Sequence, residues 1–246
     1  MGTQNLSMSV MACFKQLNSH KSSAAAKVSA MIRLVFLVVV LGGMLFAEDS
    51  PKTMTKIEVI LQSPDAPPGS FATKPKVFYR AGNRYCRVEE APDPDQGIHG
   101  LMIINEPDWW MVNLFLKTAR HGVDPGPTFN CRLTIFANGT PQSLDDESKQ
   151  VMQLEFGREL EFFKGKGAIP KKGPVLQTKE TTGYMVTVGD TDLALFTYGT
   201  PERPIAVSQK RNGKTDIYWY SGYGEQDFDP KLFAKPEGMK IEESKP

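Results

Sequence analysis

Alternation of apolar and polar residues dominates this chain, and it is sharpest between Lys76 and Leu116. Successive strand side chains point to opposite faces, so a period of two predicts strands, and short glycine- or proline-bearing breaks predict the turns between them. Val77–Arg80 and Arg84–Val88 flank Ala81-Gly82-Asn83. With Gly82-Asn83 as a two-residue turn, Val77, Tyr79, Cys86 and Val88 share one face, and Arg80 and Arg87 lie on the other. A second hairpin pairs Leu101–Asn105 with Trp109–Leu116 around Glu106-Pro107-Asp108. An even loop there gathers Leu101, Ile103, Trp110, Val112, Leu114 and Leu116 on one nearly apolar face.

The same reading extends in both directions. Lys56–Leu61 predicts a first strand, followed by a proline-rich loop at Pro64–Gly69. His121–Pro127 predicts irregular chain, because proline fixes φ and disfavours helix in the residue before it. Phe129–Phe136 predicts a strand closing at Asn138-Gly139; Asn138-Gly139-Thr140 also fits the N-glycosylation pattern and is read as a turn. Ser143–Phe163 predicts the one long helix, with Ser143 as cap, Asp145, Asp146 and Glu147 in the first turn, and Gly157 as its weak point. The basic, glycine-rich stretch from Lys164 to Lys172 is read as a solvated loop, with a partner or lipid-headgroup contact as its alternative. Two hairpins follow, at Gly189-Asp190 and at Asn212-Gly213, the second being the strongest turn signal in the chain. Tyr184, Val186, Leu193 and Leu195 continue the apolar face by alternation, and Trp219 is added to it. Phe228–Phe233 reads as a short cap before a polar tail. With about ten strands and one helix, the fold class is mainly β (α+β): a large curved antiparallel sheet under a helical cover.

Residues 1–47 contain no acidic residue and carry Lys15, Lys21, Lys27 and Arg33 before the apolar run Leu34–Leu41. A basic region, a short apolar core and a small residue at Ala47 predict a secretory signal peptide and a periplasmic protein. The alternative is an uncleaved anchor in the inner membrane; Met31 also begins a complete signal peptide of its own. Residues 48–246 then form a single domain. Without the four basic residues of the leader, 25 basic residues of the 29 face 28 acidic ones, a net charge of −3. That balance excludes a nucleic-acid binder.

Cys86 and Cys131 remain after the leader, and in an oxidising compartment they predict a disulfide, with two buried thiols as the alternative. His99 and His121 sit at no metal-ligand spacing, so neither a metal nor a cofactor is expected. Nucleophile elbows, phosphate loops and dinucleotide fingerprints are absent from the sequence, and the protein is expected not to be an enzyme.

Three stretches carry a family resemblance: Val77–Arg87, Ile103–Asn113 and Asp227–Phe233. Together they resemble the basic hairpin, the aromatic hairpin and the closing segment of the periplasmic lipoprotein-carrier and outer-membrane lipoprotein-sorting family (LolA/LolB-like), over roughly residues 53–243. The resemblance implies an unclosed half-barrel with a helical lid, binding lipoprotein acyl chains or other lipids as a monomer. It also implies that Arg87 helps to control closure. One predicted helix where carriers use several lid helices, and the two cysteines, depart from the family pattern. The competing expectation is an envelope structural or sensory module that fills its half-barrel with its own side chains and contacts envelope proteins.

Overall fold

The computed structural model describes residues 51–124, 126, 131–136 and 145–244. The leader, the helix cap expected at Ser143 and the turn expected at Asn138-Gly139 lie outside them.

Among the described residues twelve strands form one sheet whose two edges do not meet. The first is β1, Thr53–Gln62. The predicted hairpins supply β2 (Lys76–Ala81) with β3 (Tyr85–Glu90), and β4 (Gly100–Asn105) with β5 (Asp108–Asn113). Thr118–Val123 is β6, where the sequence predicts irregular chain from His121 onward, and a two-residue strand, Lys171–Lys172, is β7. Next come β8 (Thr182–Val188), β9 (Thr191–Tyr198), β10 (Arg203–Arg211) and the long β11 (Lys214–Asp227). The expected polar tail holds β12, Lys240–Glu243. The order across the sheet is β12-β6-β5-β4-β3-β2-β1-β11-β10-β9-β8-β7. Every pairing is antiparallel except β12 with β6. At Asn212-Gly213 both residues take positive φ, which is the geometry a two-residue hairpin turn requires.

Two registers decide which side chains meet. Ala81 pairs with Tyr85, so the first turn has three residues, Gly82 to Arg84, rather than two. The added residue shifts β3 by one and turns all its side chains over. Arg80 therefore shares a face with Phe78, Cys86 and Val88, and Arg87 shares the other with Tyr79. In the second hairpin Asn105 pairs with Asp108 across Glu106-Pro107, an even loop joined by a cis peptide bond.

The expected long helix is two short ones: α1, Asp146–Val151, capped by the Asp145 carboxylate accepting from the Ser148 amide, and α2, Glu159–Gly165. Gly157 breaks the run at φ +83°, a conformation side chains rarely adopt. A Cβ there would stand 3.3 Å from the Arg80 side chain, so the break also lets the chain lie close to the sheet. Leu133, Ile135 and Phe136 lie in irregular chain with a single bridge, Thr134 to Glu155, where the sequence predicts a strand.

Both faces of the sheet are packed. On the face toward the helices, Ile57, Phe78, Ile104, Leu195 and Val207 form one buried cluster with Phe156 and Phe163. On the opposite face, Phe233 packs on Met54 and Ala81, while Met239 and Ile241 pack on the cluster around Ile103 and Trp110.

Candidate functional site: the helix side of the sheet

The residues expected to share one ligand surface lie on two. Leu101, Ile103, Trp110 and Val112 do share a face, and with Ala119 they form a buried cluster. That cluster is covered by the chain's own C-terminal segment, through Met239 and Ile241. Leu114 is half-buried at its margin, and Leu116 is 65% exposed in the turn between β5 and β6. Tyr184, Val186, Leu193 and Leu195 are on the opposite, helix side. Trp219 pairs with Ala206 and Ile60 on the side away from the helices, half-buried, with its indole N–H donating to Gln62 Oε1 at 2.9 Å. The single continuous face expected from alternation is thus corrected to two faces, because alternation sets the phase within a hairpin but not between hairpins joined by loops or bulges.

A bulge in β11 shows the effect. Ile57 pairs with Tyr223 and Val59 with Tyr220, so one residue of β11 is left over between them. The extra residue brings Tyr218, Tyr220 and Tyr223, which strict alternation would split, to the helix side together.

Arg87 lies on the far face. Its guanidinium pairs with Glu89 at 2.6 Å and donates to the Leu232 carbonyl at 2.8 Å, holding the closing segment against the sheet. Cys86 on β3 and Cys131 in the irregular segment are joined by a disulfide.

Sequence reasoning missed the polar centre of the helix side. Arg80 is 5% exposed and reaches from β2 into the packed segments. Its Nη1 donates to the Phe156 carbonyl at 3.0 Å, and Nη2 donates to the Cys131 carbonyl at 3.2 Å and stands 2.7 Å from Glu155 Oε2. Beside it Glu159, 1% exposed, accepts from the Tyr220 hydroxyl at 2.8 Å and the Gly157 amide at 2.9 Å through Oε1. Its Oε2 has no hydrogen-bond partner among the described residues. Burial pushes this carboxyl up to about 7, against the lowering by those two hydrogen bonds and by Arg80. Burial also raises the Tyr220 hydroxyl well above its ordinary range, with Glu159 adding to the effect. Buried ions keep their charge only when paired, so Arg80 and Glu155 act as one unit tying the sheet to the segments above it. The two-residue turn had placed Arg80 on the face opposite Cys86 and Val88; counting the loop as odd would have recovered it.

An open groove of about 720 Å³ lies at the β8 edge of the sheet, lined by Val186 and Val188 of the helix side and, by alternation, by Met185 and Phe196 of the other side. Val186, Val188, Phe196 and Met185 contribute from the sheet, and Ala168, Ile169 and Pro174 from the chain following α2. Val188 belongs to the buried cluster and Val186 packs against it, so the groove borders the core. Lys166, Lys171 and Lys172 stand around it.

No family model and no curated protein matches this chain. Among solved structures it is similar to an uncharacterized conserved protein from Thermus thermophilus, with a TM-score of 0.44 and 10% identity over 78% of this chain and 91% of that one. It is also similar to the LolA superfamily protein NE2245 from Nitrosomonas europaea, at a TM-score of 0.31 and 12% identity over 76% and 91% of the two chains. The structure of PNGF-II gives a TM-score of 0.31 at 7% identity, over 78% of this chain and 31% of that one.

Proposed function

We propose that this protein is a non-enzymatic binder of acyl chains in the bacterial periplasm, a carrier-like half-barrel whose short helices form a cover over the helix side of the sheet. The observation that carries this reading is the groove at the β8 edge, which shares Val188 with the buried cluster and Val186 and Ala168 with the residues packed against it. Its volume of about 720 Å³ falls within the range of about 300–1,000 Å³ typical of small-molecule sites. An acyl chain needs no specific polar partner there, since each buried methylene contributes about 0.8 kcal/mol. Two short helices and irregular chain close the rest of the face, and the Arg80–Glu155 unit fastens them.

The test is titration with fluorescent acyl probes of increasing length in the absence of membranes. Affinity should rise by about fourfold per added methylene until the groove is full. Val186→Asp should weaken binding at least tenfold, with circular dichroism confirming that the fold persists. Absence of binding, or affinity independent of chain length, would sink the reading. A second reading then takes its place, an envelope interaction module, favoured by an interior already filled with Leu195, Val207 and Phe163, all at 0% exposure.

A further inference from the structure

The groove edge has a second property that acyl-chain binding does not require. Ile169 and Met185, which both line it, are 73% and 68% exposed, among the largest exposures of any apolar side chain of the described residues. Around them stand Lys166, Lys171 and Lys172. Lys171 and Lys172 form no ion pair among the described residues, and the Lys166 ammonium meets only the neutral side-chain oxygen of Gln150, at 3.1 Å, and the Phe162 ring. Between Phe162 and Lys179 there is no acidic residue, although the chain carries 28. This run without acids lies beside the exposed Ile169, Val175 and Met185 at the β7–β8 edge.

Lysines on a short edge strand can serve only to discourage edge-to-edge pairing. That role accounts for Lys171 and Lys172 on β7, but not for exposed Ile169 and Met185 beside them, which make such an edge more adhesive. Apolar side chains ringed by cations suit a surface that is apolar beneath and anionic above. We propose that this edge docks on an anionic lipid surface, with Ile169 and Met185 entering the interface and Lys166, Lys171 and Lys172 meeting the headgroups. Each lysine near such a surface strengthens binding about fivefold, and the attraction is screened by salt. Docking in this orientation opens the groove toward the bilayer, but the docking itself needs no acyl chain in the groove.

The experiment is partition of the full chain onto vesicles, with wild type and variants sharing the same N-terminal segment. Vesicles of phosphatidylcholine with about a third phosphatidylglycerol are compared with pure phosphatidylcholine. Wild type should bind the anionic vesicles at least tenfold better, and the double substitution Lys171→Glu/Lys172→Glu should remove about 25-fold or more of that affinity. Lys240→Glu, the same kind of charge reversal at a single site on β12 at the opposite edge of the sheet, should leave it unaltered. A separate variant, Ile169→Trp, reports the contact itself: the introduced indole should shift to shorter wavelength and be quenched by brominated lipid. Equal binding to neutral vesicles, a double variant within twofold of wild type, or an unquenched indole would each overturn the proposal. Acyl-probe binding is measured without vesicles, so its failure and the failure of docking are read separately.

Discussion

Glu159 is the residue whose environment suits its charge least. It is enclosed, one oxygen lacks a partner among the described residues, and burial has moved its carboxyl from 4.5 to about 7. A carboxyl raised on folding binds its proton more tightly in the native state. Its contribution is therefore best below pH 4.5, and stability falls as pH rises through the window from 4.5 to about 7, then levels. The size of that loss is about 3 kcal/mol at most. Urea midpoints at pH 5 and pH 8 should differ by this slope in wild type, and Glu159→Gln should flatten it by raising stability at the higher pH. An unchanged slope in the variant would assign the effect elsewhere. Asp93, Asp145 and Glu202 are held below their ordinary values by hydrogen bonds and neighbouring lysines, so their losses come at lower pH and with the opposite sign.

At the scale of elements, one side chain adds a pH-dependent hold on β12 to its backbone pairing with β6 and the packing of Ile241. His121 Nε2 lies 2.8 Å from Asp108, and its Nδ1 lies 2.7 Å from Glu243 on β12, with the ring stacked on Trp110. Burial lowers its basicity, but the two carboxylates outweigh that and raise it above 6.5. The charged ring, donating at both nitrogens, holds β12 fully below pH 6.5, and this hold is lost as pH rises through the raised value. Amide exchange in Lys240–Glu243, corrected for its intrinsic pH dependence, should be faster at pH 8.5 than at pH 6. His121→Gln should remove the difference. None of this was legible in the sequence, where Lys240–Glu243 is a plain polar stretch whose partner lies more than a hundred residues earlier. The turn signals at Gly189-Asp190 and Asn212-Gly213 were legible because a tight turn is decided by the residues within it. Gly157 was visible as a weak point of a helix, but not as the place where the chain must pass close over Arg80. That requirement belongs to the packed molecule.

At the scale of the whole molecule, alternation correctly gave a large, mostly antiparallel sheet, and the amphipathic pattern could not say which face of each hairpin met which cover. Both faces of this sheet carry buried clusters, one with Phe156, Phe163 and irregular chain, the other partly under the C-terminal segment, so apolar residues mark both sides and the phase becomes ambiguous. Leu101 and Leu195 look alike in sequence and lie on opposite sides in space. The disulfide joins these levels by fixing the irregular segment that Arg80 also grips. Closing 45 residues of chain, it should contribute about 2–5 kcal/mol through the unfolded state. The Cys86→Ser/Cys131→Ser double variant should lower the urea-unfolding free energy by that amount; a change under about 1 kcal/mol would show that packing alone holds the segment.

The same bridge separates continuity of the backbone from integrity of the molecule. Strands β4, β5 and β6 all lie between Cys86 and Cys131. A protease cutting beside exposed Lys117 would sever the peptide chain yet release nothing, since both fragments stay linked through sulfur and β12 remains paired with β6 just beyond the cut. Such a nicked protein would run as one species until reduced, and as two thereafter.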